Sequence, residues 1–158
     1  VRLGDLKKPI VLVFGRLCSG KGTYCKQYTD RGYHHVTTSD VVKSLSGKSR
    51  RDQLQKTKSL DQAIAEKLSE VASNNQPIVI DGIRQVSIVD YLVNTFGKDN
   101  IEMVWLEVPK DIRRNRYNKR GSKGDVAPFD KAEAGDSELG LDDVEAKYKS
   151  RSKIINHY

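Results

Sequence analysis

Three groups of residues have the types and spacing that chemistry needs. The first is Gly15-Arg16-Leu17-Cys18-Ser19-Gly20-Lys21-Gly22-Thr23, which follows the apolar run Ile10-Val11-Leu12-Val13-Phe14 and precedes a polar, helix-compatible segment. Gly-x-x-x-x-Gly-Lys spacing lets backbone N–H groups curl round an anion, with glycine where the turn is tight and the lysine reaching towards β/γ-phosphates. A helix beginning at the lysine aims its positive end at the same anion. The strict form of this loop has Ser or Thr directly after the lysine, whereas Gly22 stands there and the hydroxyl comes one place later at Thr23. The spacing predicts a phosphate-binding loop made by Gly15, Cys18, Ser19, Gly20, Lys21, Gly22 and Thr23.

The second group is Asp81-Gly82-Ile83-Arg84, directly after Ile78-Val79-Ile80. An acidic residue at the carboxyl end of an apolar strand, beside such a loop, is placed to hold Mg²⁺ or its water shell. Asp81 and Thr23 are therefore the expected metal partners, reaching the ion through water. The third group is Arg113, Arg114, Arg116 and Arg120. Four arginines so close together, without matching acids nearby in sequence, repel one another unless an anion is present, so anion binding is expected of them. Other candidates carry two readings each. Asp40 either faces a ligand or caps a helix. Arg51, in the polar stretch 44–52, is a solvated charge or a contact from a loop over the acceptor. Asp136 and Glu138 are loop charges or readers of the acceptor. His34 and His35 fall in a short strand where one faces in and one out, and a structural role is expected for both. Cys18 and Cys25 show neither a metal-ligand spacing nor a disulfide framework, so reduced thiols are expected.

These groups need elements to position them, and the chain alternates strand-like and helix-like segments. Strands are predicted at 10–14, 33–37, 78–80, 101–108 and 153–156, the first almost wholly apolar as a central parallel strand would be. Helices are predicted at about 21–30, from 41 onward, across Leu60, Ile64, Leu68 and Val71 at helical spacing, at 86–96, at 111–121 and at 141–148. Trp105 is expected in the core. The stretch 121–138 contains Pro128 and Gly135 and little periodicity, and is expected to be flexible. An α/β three-layer domain follows, with a five-stranded parallel sheet and helices on both faces.

Composition agrees with one domain. The 158 residues are 37% hydrophobic and 31% charged, with a formal net charge of +7. No apolar run approaches the ~18–20 residues that a membrane helix needs, and the first residues lack the layout of a secretion signal, so a cytosolic chain with no membrane partner is expected. The positive charge favours acidic partners, either phosphorylated small molecules or nucleic acid.

Gly15 to Thr23 with its late threonine, Asp81-Gly82-Ile83-Arg84 and the Arg113/Arg116/Arg120 cluster together resemble the nucleoside-monophosphate kinase-like family of P-loop kinases. Within it, Ile78 to Arg84, Arg113-x-x-Arg116-x-x-x-Arg120-Gly121 and Asp136-Ser137-Glu138-Leu139-Gly140 are similar to the small kinases that include deoxynucleoside-monophosphate and dephospho-coenzyme A kinases. The resemblance implies one P-loop kinase domain over 1–158, with an acceptor-binding region at about 40–60 and a small mobile lid at about 113–138. It implies ATP and Mg²⁺ as cofactors and a phosphorylated small molecule as acceptor, a nucleoside or deoxynucleoside monophosphate, with a dephospho-coenzyme A kinase-like activity as an alternative. Lys21, Asp81, Arg116 and Arg120 would then be catalytic, and Asp40, Arg51, Arg84, Arg113 and Asp136 would bind the acceptor. Transfer to a hydroxyl on nucleic acid is the alternative enzymatic reading, and a nucleotide-gated binding module the non-enzymatic one. Two departures stand out. Cys18 occupies a place where adenylate-kinase-type loops carry a glycine, and the Asp-Gly-Ile-Arg turn lacks that group's proline. A further helix, which the family has after the last strand, is absent from the 158 residues.

Overall fold

A computed structural model describes residues 8–46, 57–120 and 128–157. Its centre is β1 (Ile10–Gly15), every residue of which is buried. Both faces of that strand must therefore be covered, and its near-continuous run of Ile, Val, Leu and Phe is what such a position requires. Around it lie β2 (His34–Thr37), β3 (Ile78–Asp81), β4 (Ile101–Glu107) and β5 (Lys153–Asn156), in the spatial order β2-β3-β1-β4-β5. All four pairings are parallel. The helices are α1 (Lys21–Thr29), α2 (Thr38–Ser46), α3 (Thr57–Asn74), α4 (Val86–Phe96), α5 (Lys110–Lys119), α6 (Phe129–Leu139) and α7 (Leu141–Tyr148). None among the described residues is long and apolar enough to cross a membrane.

Strand alternation sorts the core into two layers. Val11, Val13, Val79, Val104 and Leu106 face α1, where they pack on Cys25 and Tyr28. Ile10, Leu12, Phe14, Ile78, Ile80 and Trp105 face the other way, onto Val41 and Val42 of α2, Ile64 and Leu68 of α3, Ile88 and Leu92 of α4 and Val144 and Tyr148 of α7. Trp105 is fully buried there, as expected of it. Each fully buried aliphatic side chain contributes about 1.5–3 kcal/mol, so this double layer is what fixes the strand ends that carry the polar residues.

Two expectations need correction. Residues 129–138 are not an irregular segment but most of α6, entered through Pro128. Proline suits the start of a helix, where its missing N–H is no loss, so a residue that reads as a loop signal marks an N-terminus here. The apolar stripe is hard to see because one of its two buried positions is Asp136, beside Phe129. The start of α2 also differs. It begins at Thr38, and the hydroxyl of Thr37 accepts the Asp40 backbone N–H at 3.1 Å. Thr37 is thus the capping side chain, and Asp40 lies exposed in the first turn, where its charge suits the helix dipole.

Candidate functional site

The carboxyl end of β1 runs directly into the glycine-rich loop and then α1, so the loop is suspended over the edge of the sheet. Gly15 has no room for a side chain, since a Cβ there would lie 2.3 Å from Ser19 Oγ. That hydroxyl is buried without a hydrogen-bond partner. Cys18 has φ 62° and Gly20 φ 86°, both left-handed. Glycine adopts this region freely, whereas for Cys18 it costs roughly 1–2 kcal/mol. Gly20 provides no side-chain cap for α1, so the first-turn N–H groups are left to a ligand.

Lys21 folds back over this loop, its Nζ donating to the carbonyls of Gly15 at 3.1 Å and Arg16 at 3.3 Å. Burial pushes its pKa down to about 8, helped by the nearby Arg84 charge and opposed by Asp136 and Asp81. A cation held so close to losing its proton is one whose environment has room for more negative charge.

Above the loop stands α5, and its arginines divide into two sets. Arg116 donates to the Cys18 carbonyl at 3.2 Å and the His157 carbonyl at 3.1 Å. Arg120 reaches Cys18 Sγ at 3.0 Å. Arg113, by contrast, is buried, donates to the carbonyls of Val108 (3.0 Å) and Leu17 (3.3 Å), and forms an ion pair with Glu133 of α6. Arg113, expected to bind acceptor, thus lies outside the lining of the pocket at the loop, and its guanidinium holds α5 to α6 and to the loop. Arg114 pairs with Asp130 at 3.3 Å. Acids for this half of the cluster do exist, but they lie in α6, across a fold contact that sequence adjacency does not reveal.

Lys21, Arg84, Arg116 and Arg120 line one pocket of 490 Å³, together with Cys18, Gly20, Gly22 and Thr23 of the loop and with His35, Thr37 and Asp81 at the ends of β2 and β3. Arg84 is turned there by an ion pair with Asp136 at 2.6 Å and by donation to the Gly82 carbonyl at 2.9 Å. Asp136 is buried behind it, with its second carboxylate oxygen lacking a hydrogen-bond partner. It therefore orients Arg84 and is not itself in the pocket wall. Asp40 also lies off this wall, exposed on α2, and Arg51 falls outside the described residues.

Two features escaped the sequence. His35 Nε2 lies 2.5 Å from Asp81 Oδ2, and the Cys25 thiol, raised well above its ordinary pKa by burial and then by Asp81, donates to the same oxygen at 3.7 Å. The signal was the strand alternation that places His35 on the α1 face, in register with Val79, two residues before Asp81. The other feature is His157, whose ring packs edge-on against Tyr24 with centroids 5.7 Å apart, next to the loop. Burial and then Arg116 lower its pKa.

Known proteins resemble this chain in both sequence and fold. Two UPF0200 proteins, from Thermococcus onnurineus and Thermococcus kodakarensis, are each 26% identical over 141 residues, covering 80% of this chain and 76% of the relative. Shikimate kinase from Bacteroides thetaiotaomicron superposes with a TM-score of 0.65 at 15% identity, over 94% of this chain and 86% of its own. A gluconokinase from Sinorhizobium meliloti superposes with a TM-score of 0.60 at 16% identity, over 96% and 83%. At such identities these two structures establish the fold, a P-loop kinase arrangement of five parallel strands. The sequence profile of the AAA domain family matches residues 11–138, from β1 through α6. That span includes the loop, Asp81, Arg84 and the arginines of α5, and the chain belongs to the AAA domain family.

Proposed function

We propose that this chain is an ATP-dependent kinase that moves a phosphoryl group onto a phosphorylated small molecule, a nucleoside or deoxynucleoside monophosphate. The observation that carries this reading is a single pocket whose walls combine the glycine-rich loop and Lys21 with Arg84 on one side and Arg116 and Arg120 on another. ATP fits the loop by its chemistry: Gly15 lets the loop turn tightly over Ser19, α1 offers N–H groups without a side-chain cap, and half-buried Lys21 lies against the loop carbonyls at the pocket wall. Mg²⁺ bound with it would neutralise phosphate charge, held by phosphate oxygens and by water on Thr23 and Asp81.

The work of the protein is alignment and charge stabilisation, since phosphoryl transfer asks for little covalent chemistry from side chains. Lys21 and the loop N–H groups hold the donor. Arg84, fixed in direction by Asp136, holds the acceptor anion. Arg116 and Arg120 extend from α5 over the loop to the moving group and stabilise its charge. The whole is read as one domain, with α5 and α6 in the lid region and α2 on the acceptor side; residues 47–56 and 121–127 of those two regions lie outside the described residues. A hydroxyl on nucleic acid is less suited as acceptor, because Arg113, Arg114 and Lys110 are engaged by Glu133 and Asp130 and do not form an unmatched basic stripe.

A coupled assay with Mg-ATP across ribo- and deoxynucleoside monophosphates, dephospho-coenzyme A, gluconate and shikimate tests the proposal. Diphosphate formation from at least one monophosphate, lost in Lys21→Ala, is the expected result. Turnover only on gluconate or shikimate would move the acceptor class to an unphosphorylated hydroxy acid. No turnover on any of them, with Lys21→Ala indistinguishable from the parent, would overturn the kinase reading.

A further inference from the structure

Beneath the phosphate-binding loop, three side chains from three separate elements meet: Cys25 from the middle of α1, His35 from β2 and Asp81 from the end of β3. The sulfur, one imidazole nitrogen and one carboxylate oxygen all lie within 4.8 Å of one another. Cys25 and Asp81 are buried and His35 is half-buried. His35 and Asp81 also line the pocket, so the cluster has an approach from solvent on that side. We propose that Cys25, His35 and Asp81 form a binding site for a thiophilic divalent transition metal, Zn²⁺ or Co²⁺ in class, with its fourth coordination position open to the pocket.

The donor set argues for this class. One thiolate, one imidazole and one carboxylate are the ligand types of zinc sites, and three protein ligands with one open position is the layout of a reactive one. Mg²⁺ prefers oxygen alone in octahedral geometry and has no use for the sulfur. Metal–ligand bonds of about 2.0–2.3 Å place tetrahedral donors roughly 3.3–3.8 Å apart. Cys25 Sγ and Asp81 Oδ2 are already at 3.7 Å, and His35 Nε2 at 2.5 Å from that oxygen has to move outward by about 1 Å. His35 can do so, being the partly exposed member on a short strand. The charge balance is also suitable: the metal displaces the thiol proton to solvent, the imidazole binds neutral, and two anionic ligands cancel the dication in a buried position.

This site differs from the hard-cation site expected with ATP, although the two share Asp81. It does not depend on the kinase reading, because its test needs no turnover. The full chain, stripped with a chelator and kept reduced, is titrated with Co²⁺ while absorbance is followed. Binding at one equivalent should give the sulfur-to-cobalt charge-transfer band in the near ultraviolet with the intense visible bands of four-coordinate Co²⁺, and Zn²⁺ should displace them. Cys18→Ser should leave the spectrum in place and Cys25→Ser should abolish the charge-transfer band. His35→Ala, which leaves the buried thiol untouched and guards against a misfolded Cys25 variant, should weaken binding by about tenfold or more. Absence of a band in the parent protein would overturn the proposal. So would a band that survives Cys25→Ser, one lost in Cys18→Ser instead, or an affinity unchanged in His35→Ala.

Discussion

Two groups of cations in this protein resemble each other in sequence and differ in what faces them. Arg16, Arg113 and Arg114 each meet a carboxylate, from Asp142 and Glu145 of α7 or from Glu133 and Asp130 of α6. Among the described residues, Lys21, Arg116 and Arg120 donate to carbonyls and a thiol around the loop and meet no carboxylate, and all three line the pocket. One turn of α5 is enough to pass from the first group to the second. Among the described residues, the fold has matched the charges that hold helices together and left without a carboxylate those that surround the loop, whose positive charge is free for a ligand; Arg84 stands between the two, paired with Asp136 on one side and facing the pocket on the other.

This contrast can be broken at either end. The largest effect is expected from Arg116→Ala, which should slow phosphoryl transfer by about 100- to 1,000-fold, while chemical denaturation stays within about 1–2 kcal/mol of the parent, since the described bonds of Arg116 are to the carbonyls of Cys18 and His157. A large fall in stability with activity per folded molecule preserved would place Arg116 in the anchoring group instead. Next comes Arg113→Ala, expected to cost about 2–3 kcal/mol of stability by removing hydrogen bonds to two carbonyls and leaving half-buried Glu133 with only the longer contact to Lys110. The double variant Arg113→Met with Glu133→Leu should recover most of that loss. Arg114→Ala serves as its control: the pair is largely exposed and should be worth no more than about 1 kcal/mol. Equal effects of Arg113→Ala and Arg114→Ala in urea titrations would contradict the assignment.

A subtler expectation concerns pH. In the free protein Lys21 loses its proton near pH 8, and a bound polyphosphate would hold that proton on. Below about pH 8 the lysine is charged in both states, so binding takes up no proton and affinity is flat. Above it the free lysine is neutral, and affinity should fall by up to about tenfold per pH unit, with one proton taken up from buffer. Calorimetry in two buffers of different ionisation enthalpy measures that uptake directly. Proton release, or a flat affinity through pH 9, would show that Lys21 is not the depressed group.

Gly15 to Thr23 was legible because everything it does is local: the loop's shape, its lysine and its helix follow within nine residues. The sheet was legible for a related reason, since Ile10 to Phe14 and Ile78 to Ile80 have no place except a two-sided interior. The surroundings of Arg113 were hidden together with α6. Its partner Glu133 sits in a segment whose Pro128 and Gly135 suggest a loop, so the acids that neutralise half of the arginine cluster were hidden along with the helix that carries them. Cys25, His35 and Asp81 lie far apart in sequence and share no motif. They meet only because β2 pairs with β3, alternation turns His35 and Asp81 to the same face, and α1 lies over that face with Cys25 inward. Such a meeting is a property of the topology, and no window along the chain contains it.

Arg16 bears on how a ligand would be received. It occupies one of the variable places in the loop, yet its guanidinium turns away from the pocket and bonds Asp142 at 2.9 Å and Glu145 at 2.6 Å on α7. The loop is thereby stapled to a helix that is itself packed into the core, and its conformation does not wait for an anion. Binding should then show the thermodynamic signature of a preformed cradle, with little of the unfavourable entropy that accompanies ordering a free segment. Cutting the staple with Arg16→Ala would transfer that ordering to the moment of association, and the change would be visible as an entropic penalty before any contact to phosphate had been altered.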